Sequence, residues 1–247
     1  MDQIAIVTGA GSGIGRAVAI RLASAGVGVV IFGRRRTSLE ATAAMMEGEV
    51  IIHPGDVRSA DDLNSAITAA DSLGGASILV NNAGIMPIAP MVTSSIDDWR
   101  DTLEVNVLGA LQAIHSVLPG MRERGRGHIV NISSVAGRNP FPGAAVYSAS
   151  KSAIDAIGAG LRAELAADMK RGGPPIRVTT IAPGAVTTEL VESIRDDNAR
   201  AGTATYYDAM NAPLTPADVA DVVMYAIEAP PHVCICDLEI RPTEMIR

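Results

Sequence analysis

A glycine-rich loop between a short strand and a helix, close to the N-terminus, constrains this fold most. The run Ile4 to Thr8 is apolar and β-branched like a buried strand, and a helical pattern begins at about Ile14. Glycine allows a tight turn and close approach to the backbone, and a helix start presents unpaired N–H groups to an anion. The residues expected to hold the pyrophosphate of a dinucleotide are Gly9, Ser12, Gly13, Ile14 and Gly15. A turn that is merely tight is the alternative.

Short strand-like runs alternate with longer helical segments along the whole chain. The predicted strands are Ile4 to Thr8, Val27 to Phe32, Val50 to His53, Ile78 to Val80, His128 to Ile132, Ile176 to Ile181 and Cys234 to Ile240. The predicted helices are Ile14 to Ala25, Asp61 to Leu73, Ile96 to Met121, Ala144 to Met169 and Pro216 to Glu228. This alternation predicts an α/β fold, a doubly wound seven-stranded parallel sheet with helices on both faces.

No linker divides the chain, so a single domain over residues 1–247 is the simpler interpretation. An insertion at about residues 188–213 interrupts the regular pattern, with polar residues and adjacent Tyr206 and Tyr207. Long irregular segments of this kind often act as lids over a binding site. A poorly ordered surface excursion is the other interpretation, and the pattern favours neither.

The end of the second predicted strand indicates which dinucleotide would bind. An acid about 20 residues beyond the glycines would grip the 2′-hydroxyl of NAD, but the first carboxylate after Gly15 is Glu40. Instead, Arg34, Arg35 and Arg36 follow Gly33, and guanidinium groups suit a 2′-phosphate. The sequence therefore favours NADP(H), with NAD(H) not excluded, since an arginine run can also be a solvated surface.

Charge and composition exclude several classes of partner. The net charge of −7 and the 3% aromatic content argue against nucleic-acid binding. No apolar run reaches the roughly 18–20 residues that span a bilayer, and Met1 leads into a strand without a leader pattern, so a soluble cytoplasmic protein is expected. Cys234 and Cys236 are expected to share one strand face as small buried hydrophobes, and no metal site is predicted.

Tyr147 and Lys151 lie four residues apart on a predicted helix and therefore share one face of it. A phenol has an ordinary pKa of about 10, and a neighbouring ammonium favours the phenolate. At about 4 Å and an effective dielectric constant of about 20, the attraction is about 4 kcal/mol, or roughly three pKa units. This predicts a tyrosine with a pKa near 7, suited to proton transfer. Ser134, thirteen residues before Tyr147, could bind the same substrate oxygen.

These motifs together resemble the short-chain dehydrogenase/reductase family over essentially the whole chain. The glycine motif corresponds to Thr8, Gly9, Gly13 and Gly15; an adenine-contacting acid to Asp56 with Val57; an Asn-Asn-Ala-Gly motif to Asn81, Asn82, Ala83 and Gly84; and a catalytic tetrad to Asn106, Ser134, Tyr147 and Lys151. The resemblance implies a Rossmann fold and a nicotinamide pocket opened by Pro183 and Gly184, with Val186 and Thr188 near the carboxamide.

The resemblance also implies a role for each member of the tetrad. Tyr147 would be the general acid or base, Ser134 would orient the substrate oxygen, and Lys151 would lower the tyrosine pKa and bind ribose. Asn106 would locally interrupt its helix and support a water leading protons to Lys151. Ser133 is the neighbour that competes with Ser134, and the spacing to Tyr147 decides between them.

The expected activity is hydride transfer between NADP(H) and a carbonyl or secondary alcohol. The substrate pocket is expected to be formed by Ile85, Met86 and Pro87, the segment Ala136 to Phe141 and the insertion. In it, Arg138 would either bind a carboxylate of the substrate or simply be solvated. The segment Leu238 to Thr243 resembles the branch of NADP-dependent 3-hydroxy acid and serine dehydrogenases. The family implies a homodimer or homotetramer. A nucleotide-binding sensor or structural subunit without turnover is the alternative.

Overall fold

The structure, a computed structural model, describes residues 3–245 and contains one parallel sheet. Its strands are β1 (Ile4–Thr8), β2 (Gly28–Gly33), β3 (Val50–Pro54), β4 (Ile78–Asn81), β5 (Gly127–Ile132), β6 (Ile176–Pro183) and β7 (Asp237–Ile240). Their order in space is β3-β2-β1-β4-β5-β6-β7, with every adjacent pair parallel. For the described residues this confirms the predicted seven-stranded sheet.

Helices cover both faces of the sheet. They are α1 (Gly13–Ser24), α2 (Arg36–Ala43), α3 (Ala60–Asp71), α4 (Ile96–Leu103), α5 (Gly109–Glu123), α6 (Ala145–Met169), α7 (Asp197–Asp208) and α8 (Pro216–Glu228). Alternate residues of β2 enter different cores: Val29 and Ile31 pack with α1 and α8, whereas Val30 and Phe32 pack with α3 and α5. Period-two alternation between two apolar cores is what a doubly wound sheet requires. No helix of the described residues is long and apolar enough to span a bilayer.

The long helix predicted from Ile96 to Met121 is broken in the middle. A π-helical turn, Glu104–Leu108, separates α4 from α5. Such turns insert an extra residue into the helix and often occur at functional sites. The turn contains Asn106, the residue at which the family resemblance implied an interruption.

Two helices that the sequence pattern did not predict are α2 and α7. Helix α2 begins at Arg36, directly after the arginine run, and is only eight residues long. Helix α7 occupies the insertion that was expected to be irregular, and Asp196 caps it by accepting a hydrogen bond from the Ala199 amide at 2.8 Å. None of its residues is fully buried, so it has no apolar period that a sequence pattern could detect.

The prediction for the last strand and its cysteines was wrong. Strand β7 begins at Asp237 rather than at Cys234, and both cysteines are exposed. Side chains bind the preceding carbonyl groups: Arg162 donates to the Cys236 oxygen at 2.9 Å, and Thr179 donates to the Ile235 oxygen at 2.7 Å. The Cys236 carbonyl also accepts a hydrogen bond from the Thr180 amide of β6 at 2.9 Å, so backbone contact with β6 begins directly before Asp237.

Candidate active site

A cavity of about 1240 Å³ lies at the carboxyl ends of the strands, where the order changes between β1 and β4. This is the crevice in which open α/β sheets bind ligands. Nearly all the predicted site residues line it: Gly9, Ser12, Gly13, Ile14, Arg34, Arg35, Asp56, Val57, Asn82, Ala83, Gly84, Ser134, Tyr147, Lys151, Pro183, Gly184, Val186 and Thr188. The exceptions are Gly15 and Asn106, which lie behind the cavity wall.

The glycine loop has backbone geometry that side chains would prevent. Gly9 and Gly13 have φ values of +68° and +50°, which L-residues with a side chain rarely adopt. At Gly15, a Cβ atom would clash with the Asn82 side chain. Ser12 precedes α1 in extended conformation and makes no side-chain capping hydrogen bond within the described chain. The first turn of α1 therefore offers free amide groups beside the cavity, and this fits a phosphate.

Thr8 and Asn82 join the glycine loop to the end of β4. The Asn82 side chain donates to the Thr8 carbonyl at 2.9 Å, and the Thr8 hydroxyl accepts hydrogen bonds from the Asn82 and Ala83 amides at 3.0 and 3.1 Å. These contacts explain why polar residues directly follow β4. They fix the positions of two walls of the cavity, and the Asn82 side chain holds the backbone of the glycine loop.

The arginines after β2 differ in their surroundings. Arg34 and Arg35 are exposed and line the cavity, and neither forms an ion pair with another described residue. Arg36 points elsewhere and pairs with Glu40 at 3.9 Å. Asp56, on the same side of the cavity, pairs with Arg58 at 2.7 Å. That hydrogen-bonded pair lowers the pKa of Asp56, with a smaller contribution from Arg34.

Tyr147, Ser134 and Lys151 meet in the wall of the cavity. The Lys151 ammonium lies 5.9 Å from the centre of the Tyr147 ring and donates to the Ile132 carbonyl at 2.9 Å. Burial raises the pKa of Tyr147 to about 12, although a hydrogen bond with Ser134 lowers it. Burial also lowers the pKa of Lys151 to about 8, partly offset by Asp155.

The predicted pKa near 7 for Tyr147 was therefore wrong for this structure. A charge at about 4 Å favours the phenolate, but burial of the phenol disfavours it and outweighs the charge. Here the ammonium lies 5.9 Å from the ring centre and is hydrogen-bonded to the Ile132 carbonyl group. In this structure Tyr147 is a neutral phenol at pH 7, able to donate a proton.

The choice between the two adjacent serines is supported by their contacts. Ser133 donates to the Lys151 carbonyl at 3.1 Å, so its hydroxyl holds the backbone of α6. Ser134 contacts Tyr147 and accepts a hydrogen bond from the Ala136 amide at 3.1 Å. Only Ser134 of this pair therefore contacts the phenol, as the spacing predicted.

Asn106 lies beneath the cavity, with 2% of its surface exposed. Its side chain accepts from the Ile85 amide at 2.8 Å, donates to the Ile85 carbonyl at 2.9 Å and donates to the Ser150 hydroxyl at 3.0 Å. It thus joins the loop after β4 to α6, the helix that carries Tyr147 and Lys151. The water contact implied by the family stays a prediction.

The insertion covers the cavity and is tied to its surroundings. A Cβ atom on Gly13 would lie 3.2 Å from Thr188, so the start of the insertion sits against the glycine loop. The Ser193 hydroxyl accepts from the Met86 amide at 2.8 Å, and Arg195 pairs with Asp101 of α4 at 2.8 Å. These contacts hold the insertion against the cavity, and its action as a lid stays a prediction.

Tyr207 is a site residue to which the sequence analysis assigned no role. It lines the cavity, its hydroxyl receives a hydrogen bond from the Val186 amide, and burial raises its pKa. Its charge when ionised would also raise the pKa of Tyr147. The sequence signal that could have identified Tyr207 is the pair of adjacent tyrosines in an otherwise polar insertion.

The predicted substrate pocket is only partly correct. Ile85, Met86, Ala136, Asn139 and Phe141 line the cavity, whereas Pro87 and Arg138 do not. Both interpretations of Arg138 were wrong. It pairs with three acids, Asp155, Asp237 and Glu239, at 3.2, 3.1 and 3.2 Å. Within the described residues, no cluster of three or more potential metal ligands is present.

Comparisons with known proteins agree with this geometry. A family model described as short chain dehydrogenase matches residues 3–199. An uncharacterized oxidoreductase of Staphylococcus aureus strain MW2 is 35% identical over 243 residues, covering 98% of this chain and 97% of its own. The closed form of serine dehydrogenase complexed with NADP⁺ has a TM-score of 0.87 and 33% identity, covering 97% and 95% of the two chains. A 3-ketoacyl-(acyl-carrier-protein) reductase from Brucella melitensis complexed with NADH has a TM-score of 0.84 and 26% identity, covering 97% of each.

Proposed function

The chain belongs to the short-chain dehydrogenase/reductase family of oxidoreductases, and we propose that it transfers hydride between NADP(H) and a carbonyl or secondary alcohol substrate. One observation carries this proposal: Tyr147, hydrogen-bonded to Ser134 and backed by Lys151, faces the same cavity as the glycine loop. Acid–base groups and a phosphate-binding backbone in one crevice suit a reaction that moves a hydride and a proton together.

Residues on two sides of the cavity would hold the cofactor. The amides of Gly9, Ser12, Gly13 and Ile14 would bind the pyrophosphate, with Gly15 allowing the close packing behind them. A 2′-phosphate would be bound by Arg34 and Arg35, and adenine would be contacted by Asp56 and Val57. The ribose side would be lined by Asn82, Ala83 and Gly84. The nicotinamide would be surrounded by Pro183, Gly184, Val186 and Thr188. When bound, the nicotinamide supplies or accepts the hydride.

The acid–base step belongs to Tyr147. In reduction the neutral phenol donates its proton to the carbonyl oxygen and becomes a phenolate, and in oxidation the phenolate form accepts the proton of the alcohol. Ser134 donates a hydrogen bond to the same oxygen, and the Lys151 ammonium stabilises the phenolate that forms. With a pKa of about 8, Lys151 is mostly charged at pH 7, so its ammonium can stabilise the phenolate at that pH.

Asn106 is proposed as a positioning residue. Its three hydrogen bonds connect the loop after β4 with α6, and a water at this point would extend the path from Lys151. The π-helical turn directs its side chain inward, because an extra residue rotates the helix face.

Two alternatives are set against the proposal. NAD(H) could replace NADP(H), as the NADH complex of the Brucella reductase illustrates, but the free guanidinium groups of Arg34 and Arg35 favour the phosphorylated cofactor, as does the NADP⁺ complex of serine dehydrogenase. A silent nucleotide-binding subunit would be expected to lack part of the acid–base set, and Asn106, Ser134, Tyr147 and Lys151 are all present.

Tyr147→Phe tests the proposed reaction. Removing the phenolic hydroxyl should lower kcat by about 10²–10⁴-fold, because the carbonyl oxygen loses its proton donor. The Kd for NADPH should change only a few-fold. Tyr225→Phe, on the exposed side of α8, is the matched control and should keep wild-type turnover. Stopped turnover in both variants, or full turnover in Tyr147→Phe, would contradict this role.

We also propose that the chain assembles as a homodimer or homotetramer. Leu103, Leu108 and Leu111 are 46%, 48% and 40% exposed along α4, the π-helical turn and α5, and exposed leucines in a row favour burial by a second copy. Sedimentation showing only monomer would contradict this. The cytoplasmic location stays a prediction.

A further inference from the structure

An apolar cluster surrounds Tyr147 at the substrate end of the cavity. Buried and partly buried side chains from the loops after β4 and β5, the start of α6 and the insertion form this cluster: Met86, Ile88, Ala136, Ala144, Ile194, Leu190, Val191 and Ala199. The insertion thus contributes an apolar surface directly beside the reactive phenol. A substrate whose carbonyl reaches Tyr147 has its substituents against this surface.

The charges that line the cavity are divided between its two ends. Among described residues they are Arg34, Arg35, Asp56, Lys151, Glu189, Glu192 and Asp196. The two arginines lie at the end of β2, next to Asp56 and beside the glycine loop. Lys151 donates to the Ile132 carbonyl, behind the phenol. Every charged lining residue that the described insertion supplies is an acid. Glu189 lies at the glycine loop, where it pairs with Arg16 at 4.0 Å, so Glu192 and Asp196 are the acids near the apolar cluster.

The arginines nearest to the substrate end are bound elsewhere. Arg195 pairs with Asp98 and Asp101 of α4, and Arg200 pairs with Asp197 of its own helix. Arg138 has its three acidic partners on α6 and β7. None of these three guanidinium groups lines the cavity in the part of the chain that the structure describes.

A carboxylate at this position would lose its hydration, and the described residues around the apolar cluster offer it no cation of the insertion in return. Burying an unpaired ion among apolar side chains is strongly unfavourable, and the nearby acids would repel it. Neutral ketones and alcohols lose no such hydration, and their substituents gain apolar contacts.

We propose that the substrate is an uncharged ketone or secondary alcohol with an apolar substituent, and not a 3-hydroxy acid or serine. The inference rests on the proposed function, since it concerns the same site. The resemblance to serine dehydrogenase alone would suggest a substrate that carries a carboxylate, so this inference differs from it. The acidic and apolar insertion, rather than the shared acid–base residues, is the part of the site that selects the substrate class.

Matched pairs of compounds test this inference on the full-length protein. Acetoacetate is compared with ethyl acetoacetate in reduction, and 3-hydroxybutanoate with its ethyl ester in oxidation, by following NADPH absorbance. The ester should have a kcat/KM at least about tenfold higher than the acid, equivalent to about 1.4 kcal/mol. Equal or higher kcat/KM for the acids would overturn the inference while leaving the proposed function intact. Absence of turnover with every ketone and alcohol, despite NADPH binding, would overturn both.

A charge introduced into the insertion provides a second test that cancels differences in intrinsic reactivity. Leu190→Arg should raise the acid-to-ester ratio of kcat/KM by about tenfold, because the substrate carboxylate gains a cation. Leu190→Gln is the matched control with polarity but no charge, and it should leave that ratio within about twofold. Glu192→Lys, at an exposed lining position, should shift the ratio in the same direction as Leu190→Arg. An unchanged ratio in both charged variants would contradict the inference.

Discussion

At the scale of single residues, the buried pair of Tyr147 and Lys151 defines the chemistry. The chain contains only two lysines among its 20 basic residues, and one of them stands four positions after the reactive tyrosine. Its ammonium reaches the Ile132 carbonyl through an apolar wall, and burial lowers its pKa to about 8. A compact ammonium fits this position, whereas a planar guanidinium needs more space and more acceptors.

Lys151→Arg tests whether charge alone is sufficient. We expect at least about a 100-fold loss of kcat, since the larger group cannot keep both the Ile132 contact and the distance to Tyr147. Lys170→Arg, at the exposed end of α6, is the matched control and should retain full activity. Near-normal turnover in Lys151→Arg would show that any positive charge suffices.

The pKa of Tyr147 shows what residue spacing cannot predict. Helical spacing correctly places Tyr147 and Lys151 on one face. It does not predict the 5.9 Å between the ammonium and the centre of the ring, or how deeply the two side chains are buried. Both quantities depend on the loops that close over α6. The direction of the pKa shift is therefore a tertiary property, set by desolvation rather than by the nearest charge.

At the scale of secondary-structure elements, the end of β2 sets the cofactor preference. Arg34 and Arg35 face the cavity, while α2 begins at Arg36 and turns that side chain toward Glu40. Three adjacent arginines thus divide into two that could bind phosphate and one that stabilises a helix. The sequence predicted the cluster but not this division, because the start of α2 was not recognised.

Arg34→Asp should reverse or abolish the preference for NADPH over NADH. The carboxylate would repel a 2′-phosphate and could accept a hydrogen bond from a 2′-hydroxyl. Loss of one charge-assisted contact should weaken NADPH binding by about tenfold or more. Fluorescence titration of both cofactors measures this, with Arg36→Asp as the matched control. The same Kd ratio in Arg34→Asp and wild type would refute the assigned role.

Most strands and the helices that pack on them could be predicted, since their apolar residues repeat with the period of the element. Helix α7 could not, because it lies on the cavity as a cover and buries no residue fully. In the segment before β7, distant side chains, Arg162 and Thr179, bind backbone carbonyls. Such contacts join residues more than 50 positions apart and leave no local pattern.

Asn106 could be identified only through the family resemblance. Within a helical segment an asparagine carries no distinctive signal, and the π-helical turn around it is recognisable only from the backbone. By contrast, the glycine loop and the Tyr147 to Lys151 spacing follow from local geometry and elementary chemistry.

At the scale of the whole molecule, a buried histidine links stability to pH. His128 is 3% exposed in β5, and its Nε2 lies 2.8 Å from the Thr179 hydroxyl. Burial, with a smaller contribution from Arg177, lowers its pKa from 6.5 to about 3. The unfolded chain therefore binds a proton more readily, so stability falls as pH decreases from about 6.5 toward 3.

The free energy of unfolding should decrease by about 2 kcal/mol between pH 7.5 and 5 on account of His128. Urea unfolding at a series of pH values measures this. His128→Gln should remove that part of the pH dependence, whereas His115→Gln, on the exposed side of α5, should retain it. Parallel pH profiles for wild type and His128→Gln would show that His128 is not responsible.

The central claim is that this chain transfers hydride with Tyr147 as its proton donor. Its most direct test incubates the protein with a neutral ketone and NADPH carrying deuterium at the transferable position, followed by mass spectrometry of the alcohol. The wild type should place one deuterium on the former carbonyl carbon, while Tyr147→Phe should bind the cofactor but form little labelled alcohol. Cofactor binding without label transfer to any ketone or keto acid, or equal labelling by Tyr147→Phe, would contradict the account.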